Sequence, residues 1–142
     1  MPCKLLLPVD GSEGSLRAAK HVLHIAEQVR DLEVHVVNVQ ASGDDWMVRR
    51  TIKPEELAAM VKEWGESAIA PVRAILQAAG IKCTEQVVQG EVPKTIARLA
   101  SELGCNQIVM GARGQSALGG LLMGSVATKV LYLADIPVTL VK

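Results

Sequence analysis

A chain of 142 residues with 15 Lys and Arg against 15 Asp and Glu carries no net charge. That argues against a general nucleic-acid binder and against a polybasic membrane-surface protein, both of which need a cationic excess. Hydrophobic residues make up 49% and charged residues 21% of the chain, which suits one globular domain with an aliphatic core, and the aromatics are too few for a base-stacking platform.

In chain order, Lys4 to Val9 is an apolar run that ends at the turn cluster Asp10-Gly11-Ser12. Such a run reads as a strand buried on both faces, as in a parallel sheet. From Glu13 to Val29 the period becomes helical, with Leu16, Ala19, Leu23 and Ala26 on one face and Ser12 as the cap. Glu33 to Val39 is a valine-rich second strand, and Gln40 to Lys53 reads as a long loop. Pro54 opens a helix whose stripe runs Leu57, Val61, Trp64, Ala68, Val72, Ile75, Ala79. Pro71 inside that stripe predicts a kink or two successive helices, and Gly80 ends it. Lys82 to Gln89 is the third strand. After Gly90, Pro93 opens a helix carrying Ile96, Leu99, Ala100 and Leu103. Gln107 to Met110 is the fourth strand, Gly111 to Met123 a glycine-rich loop, Gly124 to Ala134 the last helix and Ile136 to Val141 the last strand.

Alternation of strand and helix predicts a parallel sheet covered on both faces. Ligands of such sheets bind beyond the carboxyl ends of the strands where strand order reverses. That rule singles out the loops after Val9, Val39 and Met110. The third is the most suggestive: Gly111 and Gly114 allow backbone angles or a close approach that other residues resist, Gly124 lets a phosphate come close to the backbone, and the segment runs into a helix start whose free N–H groups favour phosphate. Ser125 adds a hydroxyl and Arg113 a charge. A loop that merely turns, followed by a helix capped by Ser125, is an equal alternative on these grounds alone. A Walker A loop fails because Ser125 stands where lysine is needed, and Asp10-Gly11-Ser12-Glu13-Gly14 does not fit the dinucleotide fingerprint.

Gly111-x2-Gly114-x9-Gly124-Ser125 resembles the ATP-binding motif G-x2-G-x9-G-[ST] of the universal stress protein family. Leu6-Leu7-Pro8-Val9-Asp10-Gly11-Ser12, Val87-Val88-Gln89-Gly90-Glu91-Val92 and Ile136-Pro137-Val138-Thr139-Leu140-Val141 resemble that family's first strand and turn, third strand and turn, and closing strand. The resemblance spans nearly the whole chain as a single domain, 1–142. It implies a flavodoxin-like, adenine-nucleotide α-hydrolase-like three-layer sandwich, with a five-stranded parallel sheet and four main helices. It also implies ATP as ligand, with Mg²⁺ as the usual companion of a triphosphate. Pro8, Val9, Asp10 and Val39 match positions near adenine, Gly90 a turn near the ribose, and Gly111 a position beside ribose and phosphates. Met110, just before the motif, and Arg113, within it, belong to the same ATP-binding set. Gly114, Gly124, Ser125 and Val126 match positions that hold phosphates. Two departures stand out: Ala112 replaces a frequent serine, and Gly119 or Gly120 replaces a frequent basic residue.

The resemblance implies a homodimer paired along the C-terminal strand, with Val138 and Leu140 near the interface; an apolar edge strand invites such pairing. Asp10 reads either as an adenine contact or as a cap for the following helix. His21 and His24 share a helix face but lack a third ligand for a metal. Cys3, Cys83 and Cys105 are odd in number and widely spaced, which reads as buried thiols rather than bridges. Arg49, Arg50 and Lys53 form a small basic group, and Trp46-Met47 an apolar loop tip suited to a partner. Asp10 and Glu13 break any apolar run after Met1, and no 18-residue apolar stretch occurs, so the expected setting is cytoplasmic. The expected role is a stress-linked regulatory ATP binder with an unidentified protein partner. A slow ATPase or nucleotide hydrolase and a nucleotide-free adaptor dimer are the alternatives. No catalytic base is assigned.

Overall fold

The computed structural model describes residues 1–41, 51–114 and 123–142. Trp46, Met47, Arg49, Arg50, Gly119 and Gly120 lie outside the described residues. The elements are β1 (Cys3–Pro8), α1 (Glu13–Ala26), β2 (Leu32–Gln40), α2 (Pro54–Ala78), β3 (Cys83–Gln89), α3 (Val92–Glu102), β4 (Gln107–Gly111), α4 (Ser125–Leu133) and β5 (Val138–Val141). All strand pairs are parallel, and the sheet runs β3-β2-β1-β4-β5. The chain winds outward from β1 through β2 to β3, then returns to β4 on the other side. The carboxyl ends of β1 and β4 therefore open onto a crevice, as strand-order reversal requires.

Alternation along the central strands divides the core in two. Leu5 and Leu7 of β1, Val34 and Val36 of β2 and Val109 of β4 pack with Val22 of α1 and with Ile69, Val72 and Leu76 of α2. Leu6, Val37, Ile108 and Met110 point the other way, against Ile96 and Leu99 of α3 and Ala127 and Val130 of α4. Leu5, Leu6 and Leu7 are all fully buried, each worth about 1.5–3 kcal/mol of transfer free energy. This is the three-layer α/β arrangement expected from the sequence.

Two expectations about helices need correction. One helix runs from Pro54 through Pro71 to Ala78, so there are not two helices in succession. Pro71 is on the exposed side, where water can satisfy the carbonyl that loses its partner. Helix α1 stops at Ala26, not Val29: the Gln28 amide turns back onto the Ile25 carbonyl, three residues earlier rather than four, at 2.9 Å.

The exposed edge strand β3 is tied to α2 by Arg73. Its guanidinium donates to Glu66 at 2.8 Å and to Glu85 at 2.5 and 2.7 Å. Those bonds push the Arg73 pKa up, and Arg73 in turn holds the Glu66 carboxyl below the usual carboxylate range. Cys105 sits in the α3–α4 core, where burial pushes its thiol up. The rings of His21 and His24 lie 6.3 Å apart on α1, with His24 3.8 Å from Glu27. Among the described residues no helix is long and apolar enough to cross a membrane.

Candidate functional site

A cavity of about 220 Å³ opens at the crevice between β1 and β4. Its walls come from several parts of the chain. Pro8 and Val9 close β1, Val39 closes β2, and Met110 and Gly111 close β4. Val92 and Ile96 come from the start of α3, and Ala127 from the start of α4. These apolar walls suit a flat heterocycle. The polar part of the lining comes from Asp10, Ser12, Ser15, Arg113, Gly114 and Ser125.

The start of α4 is the main source of hydrogen-bond donors. Gly124 occupies the cap position with φ −77° and ψ 167°, and among the described residues no side chain caps the helix. The N–H groups of Ser125, Val126 and Ala127 are therefore left without intrahelical partners, and the helix field adds about half a positive charge there. Ser125 is the first helical residue, so the expected alternative of a Ser125-capped helix is corrected. The Gly124 N–H donates to the Ala112 carbonyl (2.7 Å), and Ala112 N–H to Val141 (2.9 Å). These bonds clamp the helix start to the end of β4.

The three motif glycines have different reasons. A Cβ on Gly111 would stand 2.9 Å from the Gly14 carbonyl carbon and oxygen, and one on Gly14 only 2.3 Å from the Arg113 carbonyl oxygen. The end of β4 and the start of α1 thus touch backbone to backbone. A Cβ on Gly114 would meet the Asp10 carboxylate at 2.4 Å. On Gly124 its nearest neighbour among the described residues would be at 3.5 Å, an ordinary contact. Protein packing explains Gly111 and Gly114 by close approach, with no positive φ at either. It does not explain Gly124, whose bare backbone faces the cavity.

Asp10 is both a lining residue and a brace. Its Oδ1 accepts from the Ser12 N–H (3.0 Å), the Ser12 hydroxyl (2.5 Å) and the Ser15 hydroxyl (2.9 Å), while its own N–H donates to Ser15 Oγ (3.0 Å). Ser12 also caps α1 by accepting from Ser15 N–H. These bonds hold the β1–α1 turn against the cavity rim.

Of the residues singled out in the sequence, Pro8, Val9, Asp10, Val39, Met110 and Gly111 line the cavity, as do Arg113, Gly114, Gly124, Ser125 and Val126. Gly90 does not line it. A Cβ there would meet Thr95 Oγ1 at 2.6 Å, and its N–H donates to the Gln40 carbonyl (2.9 Å), so Gly90 shapes the β3–α3 turn. Ser12, Ser15, Val92, Ile96, Ala112 and Ala127 were missed. The Ser-x-x-Ser spacing after β1 and the pair Val92 and Ile96, one turn apart just after Gly90, were the available signals.

The family model of the universal stress protein family matches residues 1–142. Universal stress protein MJ0531 of Methanocaldococcus jannaschii is 32% identical over 139 residues, covering 98% of this chain and 81% of its own length. The solved structure of MJ0577, also from Methanocaldococcus jannaschii, superposes with a TM-score of 0.85 at 28% identity, covering 100% of this chain and 96% of the other. A universal stress protein of Archaeoglobus fulgidus, solved in complex with dAMP, superposes with a TM-score of 0.70 at 23% identity over 100% and 98% of the two chains.

Proposed function

Because this chain belongs to the universal stress protein family, we propose that it binds an adenine nucleotide, ATP in particular, in the cavity between β1 and β4, and that residues 1–142 form one domain of that family. The observation carrying this reading is that an apolar slot and an uncapped helix start share one cavity. The base enters among Val39, Val92, Ile96 and Met110. The phosphates take the amides of Ser125 and Val126, the Ser125 hydroxyl and Arg113. That the Archaeoglobus fulgidus protein was solved with dAMP supports an adenine nucleotide. Asp10, the carboxylate at the cavity rim, accepts from Ser12 and Ser15 through Oδ1; Mg²⁺ accompanying a triphosphate would draw on the phosphates and water for ligands. The role proposed with this binding is stress-linked regulation exercised through a protein partner.

The test is calorimetry with ATP and Mg²⁺, alongside chromatography of the supernatant from freshly denatured protein. Saturable one-to-one binding, with adenine nucleotide in the supernatant, is expected. No heat at millimolar ATP and an empty supernatant would leave the nucleotide-free adaptor as the better reading.

We further propose a dimer of two copies paired along β5. Strand β5 has no charged residue from Val138 to Val141, while the opposite edge strand, β3, carries Glu85. Charge on one edge and its absence on the other is the usual way a sheet permits pairing on one side only. Leu131, Tyr132 and Leu133 of α4 add exposed apolar surface, Tyr132 at 88%. Val138 and Leu140 are half-buried against the α3–α4 core, so the strand's backbone carries the pairing. Sedimentation should give twice the 15.1 kDa chain mass; a monomer at every concentration refutes the dimer.

A further inference from the structure

The ladder between β1 and β2 stops short on the side that faces the cavity. Its last register pair is Pro8 with Val37, closed by the Val9 N–H donating to the Val37 carbonyl at 2.8 Å. In a parallel ladder, successive residues turn to alternate neighbours. The Gln40 carbonyl takes the Gly90 N–H from the β3 side (2.9 Å). Gln40 and Asn38 therefore turn to β3, while Val37 and Val39 turn to β1. The next rung would be the Val39 N–H donating to the Val9 carbonyl. That rung is not made: Val9 and Asn38 are not a register pair. The Val39 N–H has no backbone partner among the described residues, and Val39 lines the cavity.

The side chain of Asn38 occupies the place of that rung. It is 5% exposed, and its Nδ2 donates to the Val9 carbonyl at 2.8 Å. Its Oδ1 accepts from Gln40 Nε2 at 2.9 Å, and the same Nε2 donates to the Val61 carbonyl in α2 at 2.8 Å. Gln40 thus fixes which end of the Asn38 amide faces Val9. A buried carbonyl needs a donor, and here a side chain supplies it in place of the neighbouring strand.

We propose that Asn38 is a positioning residue that stops the β1–β2 ladder at Val9, keeping the Val39 N–H free to donate to a ring nitrogen of a bound base. The link to a base rests on the nucleotide reading above; the ladder stop does not. Asn38 has no part in lining the cavity and acts through Val9 and Val39. In Asn38→Leu, the Val9 carbonyl loses its donor and captures the Val39 N–H.

Residue-resolved amide exchange tests this in the free protein and with AMP. In the wild type, the Val39 amide should exchange openly when free and become protected on adding AMP. In free Asn38→Leu it should be protected at least about tenfold more than in the wild type, with AMP affinity down by a similar factor. Simple destabilisation lowers protection generally, so a rise confined to Val39 is a signature that a merely structural role does not produce. Gln40→Met, which leaves Asn38 in place but frees its amide to turn, should shift both readouts the same way by less, and it serves if Asn38→Leu does not fold. Unchanged Val39 exchange in the variants overturns the ladder stop. Failure of the wild type to bind either AMP or ATP, with the exchange contrast intact, defeats the nucleotide reading and leaves the ladder stop standing.

Discussion

Gly124→Val should abolish nucleotide binding while leaving the domain folded. The backbone at Gly124, φ −77° and ψ 167°, is extended and open to any residue, and an added Cβ meets the described residues only at ordinary contact distance. The branched methyls then extend into the space before the amides of Ser125 and Val126, where the phosphates would sit. Affinity should fall by about 100-fold or more, close to 2.8 kcal/mol. Valine is a poorer cap residue than glycine, so about 1 kcal/mol of stability is lost with it, a melting shift of roughly 3–4 °C at this chain length. Calorimetry and thermal unfolding separate the two effects. Retained affinity removes the helix start from the phosphate site; a collapse in melting temperature makes Gly124 a structural residue.

Gly111→Ala should give the reverse pattern, a large loss of stability. The new methyl would lie 2.9 Å from the carbonyl carbon and oxygen of Gly14 and 3.0 Å from its Cα. Those are backbone atoms, so no rotamer change relieves the clash and α1 must shift from the end of β4. Overpacking of this kind costs about 1–3 kcal/mol, and at the upper end the melting temperature falls by about 10 °C. Any loss of nucleotide affinity would be secondary, through displacement of the Asp10–Ser15 brace. Gly14→Ala should behave alike, because its Cβ meets the Arg113 carbonyl oxygen of the same junction. The double variant should lose less than the sum, since one shift of α1 relieves both contacts. An additive double variant, or a Gly111→Ala protein as stable as the wild type, would show that the two backbones do not bear on each other.

The contrast between these two glycines marks where reading the chain alone reaches its limit. Spacing identifies Gly111, Gly114 and Gly124 as a set, and the likeness to a known motif gives all three one explanation. Three-dimensional contacts divide them: Gly111 answers to Gly14, Gly114 to Asp10, and Gly124 to the cavity. Gly90 shows the same division, since its turn was legible but its neighbour, Thr95, lies on the helix after it.

What the chain by itself determined is what neighbours in sequence decide. Leu5, Leu6 and Leu7 read as a strand buried on both faces because a run of three must present side chains to both. The turn at Asp10-Gly11-Ser12, the start of α2 at Pro54 and the glycine entry to α4 are equally local. Tertiary structure alone decided the order β3-β2-β1-β4-β5, the walls contributed by Val92 and Ile96, and the capture of the Val9 carbonyl by Asn38, 29 residues away. These depend on which surfaces are left to meet once the core has closed. No periodicity encodes that, because the partners are set by packing across the sheet rather than along the chain.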